Sequence, residues 1–274
     1  MAQNLKVYVS ESVLTEVLLT KQRSIVEDLM TDGIQAQMQA MQMLRKAQDV
    51  TANNLANINT PGFKGSKVFY RMVQEEVNGK SVTRAMPQQE LDMTQGVLEA
   101  TGNDLDMGIK GKGFFVVQGE EGQKLTRDGR MHVSNDGYLV DGRGAKVMGD
   151  SGPIYMPQYL QAGGKNGEPA KVEVADDGTI RLNSEVLDKL KIVQVEDTSQ
   201  LDRMGSNYFA VQQSAMIDDN SSRVRQGYYE SGNVNPLDEM VDMMQTTKMF
   251  ETQQRAIKTT DEMLGQVTSR LGKF

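Results

Sequence analysis

Met243, Phe250, Ile257, Leu264 and Leu271 recur every seven residues near the end of the chain, a spacing that places them on one face only if the segment is a long helix. Such a seam needs a partner along its whole length. Asn235-Pro236-Leu237-Asp238-Glu239 marks the start: an asparagine cap, proline at the first helical position and two acids in the first turn, where the helix dipole favours negative charge. Met249, Ala256 and Met263 widen the seam, whereas Thr247, Gln254 and Asp261, at the second seam position, are polar. The pattern predicts an imperfect coiled coil suited to packing among several helices, with an ordinary amphipathic helix lying on its own domain as the alternative.

The other end is also patterned. From Thr31 to about Ile58, Ile34, Met38, Met41, Leu44, Ala47, Ala52 and Leu55 fit one helical stripe, interrupted by Arg45 and Gln48. That helix ends in Ala52-Asn53-Asn54-Leu55-Ala56-Asn57-Ile58-Asn59-Thr60-Pro61-Gly62-Phe63-Lys64. Asparagine is a poor helix former because its amide competes for backbone hydrogen bonds. Asn53, Asn54 and Asn57 therefore suggest amides that bond between neighbouring backbones, and Asn53 and Asn57 are expected to matter more for polymerisation than for folding. Thr60-Pro61-Gly62-Phe63 reads as a turn: proline excludes the helical region for Thr60, and Gly62 can take a positive φ.

Between the ends, Phe114–Val117, Tyr138–Val140, Val172–Val174 and Leu190–Val193 are short apolar runs separated by Gly and Asp, as in an antiparallel sheet domain. Arg127-Asp128-Gly129-Arg130, Asn135-Asp136-Gly137-Tyr138 and Asp176-Asp177-Gly178-Thr179 carry hairpin signals. Residues 75–95 and 160–170 are polar and read as connections. The expected fold is mixed α and β: N- and C-terminal amphipathic helices paired as a coiled-coil-like layer, with a central, mainly antiparallel β domain. The expected divisions are an N-terminal extension over 1–29, the first helix and turn over 30–64, the β domain over 65–230 and the last helix over 231–274.

Composition narrows the function. With 38% hydrophobic residues, 5% aromatics, no Trp and a mean hydropathy of -0.50, the chain suits thin layers and long helices better than a deep core. Its 19 methionines suit surfaces that adapt to slightly different partners. A net charge of -7 argues against nucleic acid or an anionic membrane surface, and no apolar run reaches the length of a membrane span. Glu11 and Glu16 interrupt the early apolar stretch, so no cleaved signal peptide is expected.

Chemistry is thinly provided. His132 is the single histidine and reads as the polar face of a short strand, and with no Cys a metal site would need carboxylates alone. Asp176-Asp177-Gly178 lacks the later ligands of a calcium loop. Gly108-Ile109-Lys110-Gly111-Lys112-Gly113-Phe114 lacks P-loop spacing and runs into a strand. Neither a cofactor nor a metal is expected, and no residue is expected to be catalytic.

Gly111-Lys112-Gly113-Phe114-Phe115-Val116-Val117, Thr126-Arg127-Asp128-Gly129 and Glu230-Ser231-Gly232-Asn233-Val234-Asn235, together with the Ala52–Lys64 motif, resemble the flagellar basal-body rod and hook family. The resemblance runs from about Met30 to the C-terminus, and the compact middle is most like the proximal-rod type, with the distal-rod type a close alternative. Residues 1–29 precede the region it covers, and translation from Met30 would leave them out. The resemblance implies a structural subunit whose terminal helices pair inside a helical tube while the β domain lies outside. It implies export through the flagellar type III apparatus, assembly in the periplasm with other copies and other rod proteins, and torque transmission from motor to hook. The expected assembly interface is Ile34, Met38, Met41, Leu44, Asn53, Asn54, Leu55, Asn57, Asn233, Asn235, Met243, Phe250, Ile257, Leu264 and Leu271, with Asn233 and Asn235 equally readable as helix caps. A secreted β-domain hydrolase and a soluble adaptor with coiled-coil ends are the competing readings.

Overall fold

A computed structural model describes residues 11–77, 80–160, 171–205 and 207–271. A helix over Glu11–Ala56 precedes the strands and a helix over Pro236–Leu271 follows them. The first therefore extends upstream of the stripe read from Thr31. The first ten residues of the expected extension, and residues 161–170 of the expected second connection, lie outside the described residues. So does the side chain of Leu271.

Two compact units divide the chain, one made of the ends up to Gln48 and from Met244, the other running from Asp49 to Met243. Both boundaries fall inside helices, whereas the sequence reading places them after Lys64 and before Ser231. In the helical unit, Gln37 Nε2 donates to Thr260 Oγ1 (3.4 Å) and Gln48 Nε2 to Thr247 Oγ1 (3.5 Å), a spacing that runs the helices antiparallel. Phe250, Ile257 and Leu264 are half-buried along the seven-residue seam. Its polar flank is Gln253 and Thr260 rather than Gln254 and Asp261, which are exposed. Met41 and Leu44 are half-buried, while Ile34 and Met38 are 37% and 54% exposed.

In the other unit every strand pairing is antiparallel. The largest sheet runs Asp202–Met204, Tyr208–Ala210, Gly122–Thr126, Phe114–Gly119, Lys146–Val147, Leu139–Asp141, Met131–Val133. Ile192–Val195 joins it beside Phe114–Gly119 and pairs with Met216–Asp218 on its other side. The unbroken run Phe114–Val117 reflects burial on both faces: Phe115 and Val117 enter one apolar cluster with Leu139 and Ile154, and Phe114 and Val116 enter another with Leu125 and Phe209. A smaller sheet holds Val172–Val174, Thr179–Leu182 and Glu185–Lys189, with Gly178 at φ 86° in its first turn. Two short ladders, Met107–Lys110 with Arg223–Gln226 and Leu98–Ala100 with Tyr228–Glu230, bring the late strands back to the early ones.

Two local readings are corrected. Most of the expected first connection is strand: Ser66–Val77 pairs with Lys80–Leu91 in unbroken register from Ser66↔Leu91 to Val77↔Lys80. Phe69, Tyr70, Met72 and Met86 on this ribbon are all exposed, so no core face imposes the alternation by which a strand is recognised. Arg127-Asp128-Gly129-Arg130 is no hairpin, because it links Gly122–Thr126 to Met131–Val133, which do not pair with each other. Gly129 is required by close approach instead, since a Cβ there would collide with the Met107 carbonyl.

Candidate functional site

The first helix ends among the asparagines, with Asn53 and Asn54 in its last turn and Asn57 just past it. Asn57 N–H donates to both Asn53 O and Asn54 O at 3.2 Å, and Thr60 N–H to Asn57 O at 2.9 Å. Pro61 and Gly62 then occupy the centre of a type II turn, Gly62 at φ 68°, closed by Phe63 N–H to Thr60 O (3.2 Å). The turn is held from outside by Gly62 N–H donating to Glu230 O at 2.7 Å. It delivers Phe63 and Lys64 into the interior, where they are 0% and 1% exposed. The Arg203 guanidinium lies 4.6 Å from the centre of the Phe63 ring and donates to the Lys64 carbonyl.

Lys64 enters a sealed charge cluster. Its Nζ is 2.6 Å from Glu230 Oε1 and donates to Thr94 O at 2.7 Å. Gly96 N–H donates to the same carboxylate oxygen at 2.8 Å. The other oxygen, Oε2, accepts from Arg127 Nη1 at 3.0 Å, while Arg127 Nη2 donates to Gly111 O at 2.8 Å and the guanidinium lies 4.9 Å from the Phe114 ring centre. Glu230 is fully buried and Arg127 nearly so. One carboxylate thus binds two cations in a place that water does not reach. Burial pushes the Lys64 ammonium and the Arg127 guanidinium below their ordinary pKa values, and Glu230 opposes both shifts.

Amides surround this cluster. Buried Asn54 donates from Nδ2 to Ser66 O and to Glu239 Oε1, both at 2.9 Å, and accepts from Ser66 N–H at 3.0 Å. One side chain therefore joins the end of the first helix, the start of the hairpin and the first turns of the last helix. Burial raises the Glu239 pKa, as do Asp242 and Asp238, against the hydrogen bond from Asn54. Asn233 accepts from Gly65 N–H at 2.7 Å and donates to Asp92 O at 2.7 Å and Thr94 O at 3.1 Å. Asp92 itself is pushed up by burial but held down at about 2 by hydrogen bonds from Lys67 and Thr94. Asn235 caps the last helix, its Oδ1 accepting from Leu237 N–H at 3.1 Å.

Of the asparagines read from the sequence, Asn54 and Asn233 bond between segments of the same chain. Exposed Asn53 also bonds across the chain, accepting from Arg203 Nη1 at 3.2 Å, whereas Asn57, just past the end of the first helix, donates to Asn53 O four residues back. Leu55 and Met243 are half-buried nearby in sequence. Lys64, Arg127, Arg203 and Glu230 were not singled out. Three of them stand in glycine-bearing motifs of the chain, where the signal is charge beside glycine or an aromatic residue: Gly62-Phe63-Lys64, Arg127-Asp128-Gly129, Glu230-Ser231-Gly232. His132 is exposed on the Met131–Val133 strand, and among the described residues no group of His, Asp and Glu could hold a metal. A sealed carboxylate between two cations can clamp three segments together, and it presents no reactive group to a substrate.

Fold and clamp define a class: a β body that locks its two chain ends together where both continue as long helices. Three family models match segments of the chain. Residues 34–64 match the flagella basal body rod protein model, 108–182 the flagellar hook protein FlgE/F/G D1 domain, and 225–271 the flagellar basal body rod FlgEFG protein C-terminal model. Lys64, Arg127 and Glu230 come one from each. The chain is 30% identical over 239 residues to the flagellar basal-body rod protein FlgF of Caulobacter vibrioides, covering 84% of this chain and 94% of the relative. It is 32% identical over 264 residues to FlgF of Salmonella typhimurium, covering 88% and 99%. With FlgG of Bacillus subtilis the identity is 29% over 247 residues, covering 81% and 92%. The chain belongs to the flagellar basal-body rod protein family.

Proposed function

We propose that this rod-family chain is a subunit of FlgF type in the proximal rod, that it polymerises through its terminal helices, and that the polymer transmits torque from motor to hook without chemistry. Export through the flagellar type III apparatus, without a cleaved signal, would bring it to the periplasm. The observation that carries this reading is the apolar surface left on the helical ends. Met249 and Met263 on the last helix are 57% and 59% exposed, and Ile34 and Met38 on the first remain open to solvent. Helices with apolar residues on more than one face bury the remainder against neighbours, which is how parallel copies would build a layer. Met41, Leu44, Leu55, Met243, Phe250, Ile257, Leu264 and Leu271 complete the proposed helical interface, and Asn53 and Asn57 its polar rim. Asn54, Asn233 and Asn235 serve it indirectly, by fixing how the ends leave the body. The stiffness of a shaft requires that load on the helices reach the body, and the Lys64–Glu230–Arg127 clamp supplies that link.

Removal of residues 244–274 tests the proposal. The shortened chain should keep the circular dichroism of a folded β body, disappear from purified basal bodies and leave cells unable to swim. Swimming cells would overturn it. FlgF type against FlgG type is decided by cross-linking in purified basal bodies: a proximal subunit contacts proteins at the motor end, a distal one those at the hook end.

A further inference from the structure

The ladder between Met107–Lys110 and Arg223–Gln226 has two unlike faces. Ile109 and Val224, opposite each other, are each 1% exposed and belong to the core. On the outward face Lys110 stands directly opposite Arg223, and Arg225, two residues on, shares that face. All three are exposed, as is Lys112 just beyond the strand. Among the described residues neither Lys110 nor Arg223 has an ion-pair or hydrogen-bond partner for its side chain. Like charges placed directly across a ladder repel and weaken the pairing. In a chain with 37 acidic and 30 basic residues, a concentrated basic face that weakens its own sheet has to be explained by something outside the fold.

We propose that this basic face docks a second copy of the chain, through the acidic first turns of the partner's Pro236–Leu271 helix, where exposed Asp238 and Asp242 stand one turn apart beside Glu239. The argument for that occupant is charge complementarity. The two patches have opposite sign, each repels itself, and no ion pair joins them within the described chain. Because they are different surfaces of one molecule, their contact is head-to-tail and leaves a free patch at each end of a pair, so it extends into an open helical array when the rotation between copies does not close a ring. This rests on the rod-subunit reading and specifies one of its contacts.

The test uses the full-length chain in sedimentation velocity at low ionic strength. The wild-type chain should associate, and salt should weaken that association. K110E/R223E and D242K, each folded by circular dichroism, should each associate at least tenfold more weakly. Mixed in equal amounts they should give one-to-one dimers and nothing larger, since one keeps an intact acidic patch and the other an intact basic face. K110E alone places opposite charges across the ladder, so it should raise the melting temperature by about 1–2 °C while weakening association. Wild-type self-association in K110E/R223E, no association of the wild type, or no dimer in the mixture would overturn the proposal. In cells, normal swimming of the K110E/R223E strain beside a non-swimming 244–274 deletion would remove this contact and leave the rod reading standing.

Discussion

Glu230 is the residue on which the clamp depends, because its two oxygens hold Lys64 and Arg127 while its backbone carbonyl holds Gly62. Glu230→Gln would leave two buried cations facing an amide, and breaking a buried ion pair from one side costs about 3–5 kcal/mol. Lys64→Met leaves a balanced Glu230–Arg127 pair and is expected to cost less. Urea denaturation of both variants checks the order, and the reverse order would show that packing rather than charge dominates the site. Asp92 gives a separate pH signature. Its folded-state pKa of about 2 lies below the ordinary 3.8, so it favours folding above pH about 4, and that contribution is lost as the pH falls through about 2. Asp92→Asn should therefore lower the melting temperature at pH 7 and leave it nearly unchanged at pH 2.

At the scale of elements, glycines carry opposite expectations according to what surrounds them. Gly62 combines a positive φ with a position where a Cβ would meet the Arg127–Asp128 backbone, so Gly62→Ala should destabilise by at least about 1–3 kcal/mol. Gly33 lies inside the Glu11–Ala56 helix with nothing near the place of a Cβ, so Gly33→Ala should stabilise that helix by about 0.5–1 kcal/mol. Melting curves followed at 222 nm compare them. The difference between a legible and an illegible element is also one of environment. Phe114–Val117 and the Asn235-Pro236 helix start were readable because burial and capping act on neighbouring residues. The Ser66–Leu91 hairpin is illegible in sequence because its exposed faces impose no period, and the Arg127–Gly129 segment carries a false hairpin signal because Asp-Gly favours a turn wherever it stands.

For the whole molecule, the division at Gln48 and Met244 assigns the clamp, both apolar clusters and the ends of both helices to one unit. Residues 49–243 alone should therefore unfold cooperatively with a midpoint close to that of the full chain. A broad, early transition would show that the helical unit is needed for the body to fold. Sequence alone determined the helical ends, the antiparallel middle and membership of the rod family, because periodicity, capping and turn chemistry are local and the family motifs are short. Only the tertiary structure decided that Asn54 and Asn233 tie the chain to itself, and that Lys64, Arg127 and Glu230 meet. Their mutual distance is set by strand pairing across 166 positions from Lys64 to Glu230, and no local pattern encodes which distant charge a buried cation will find.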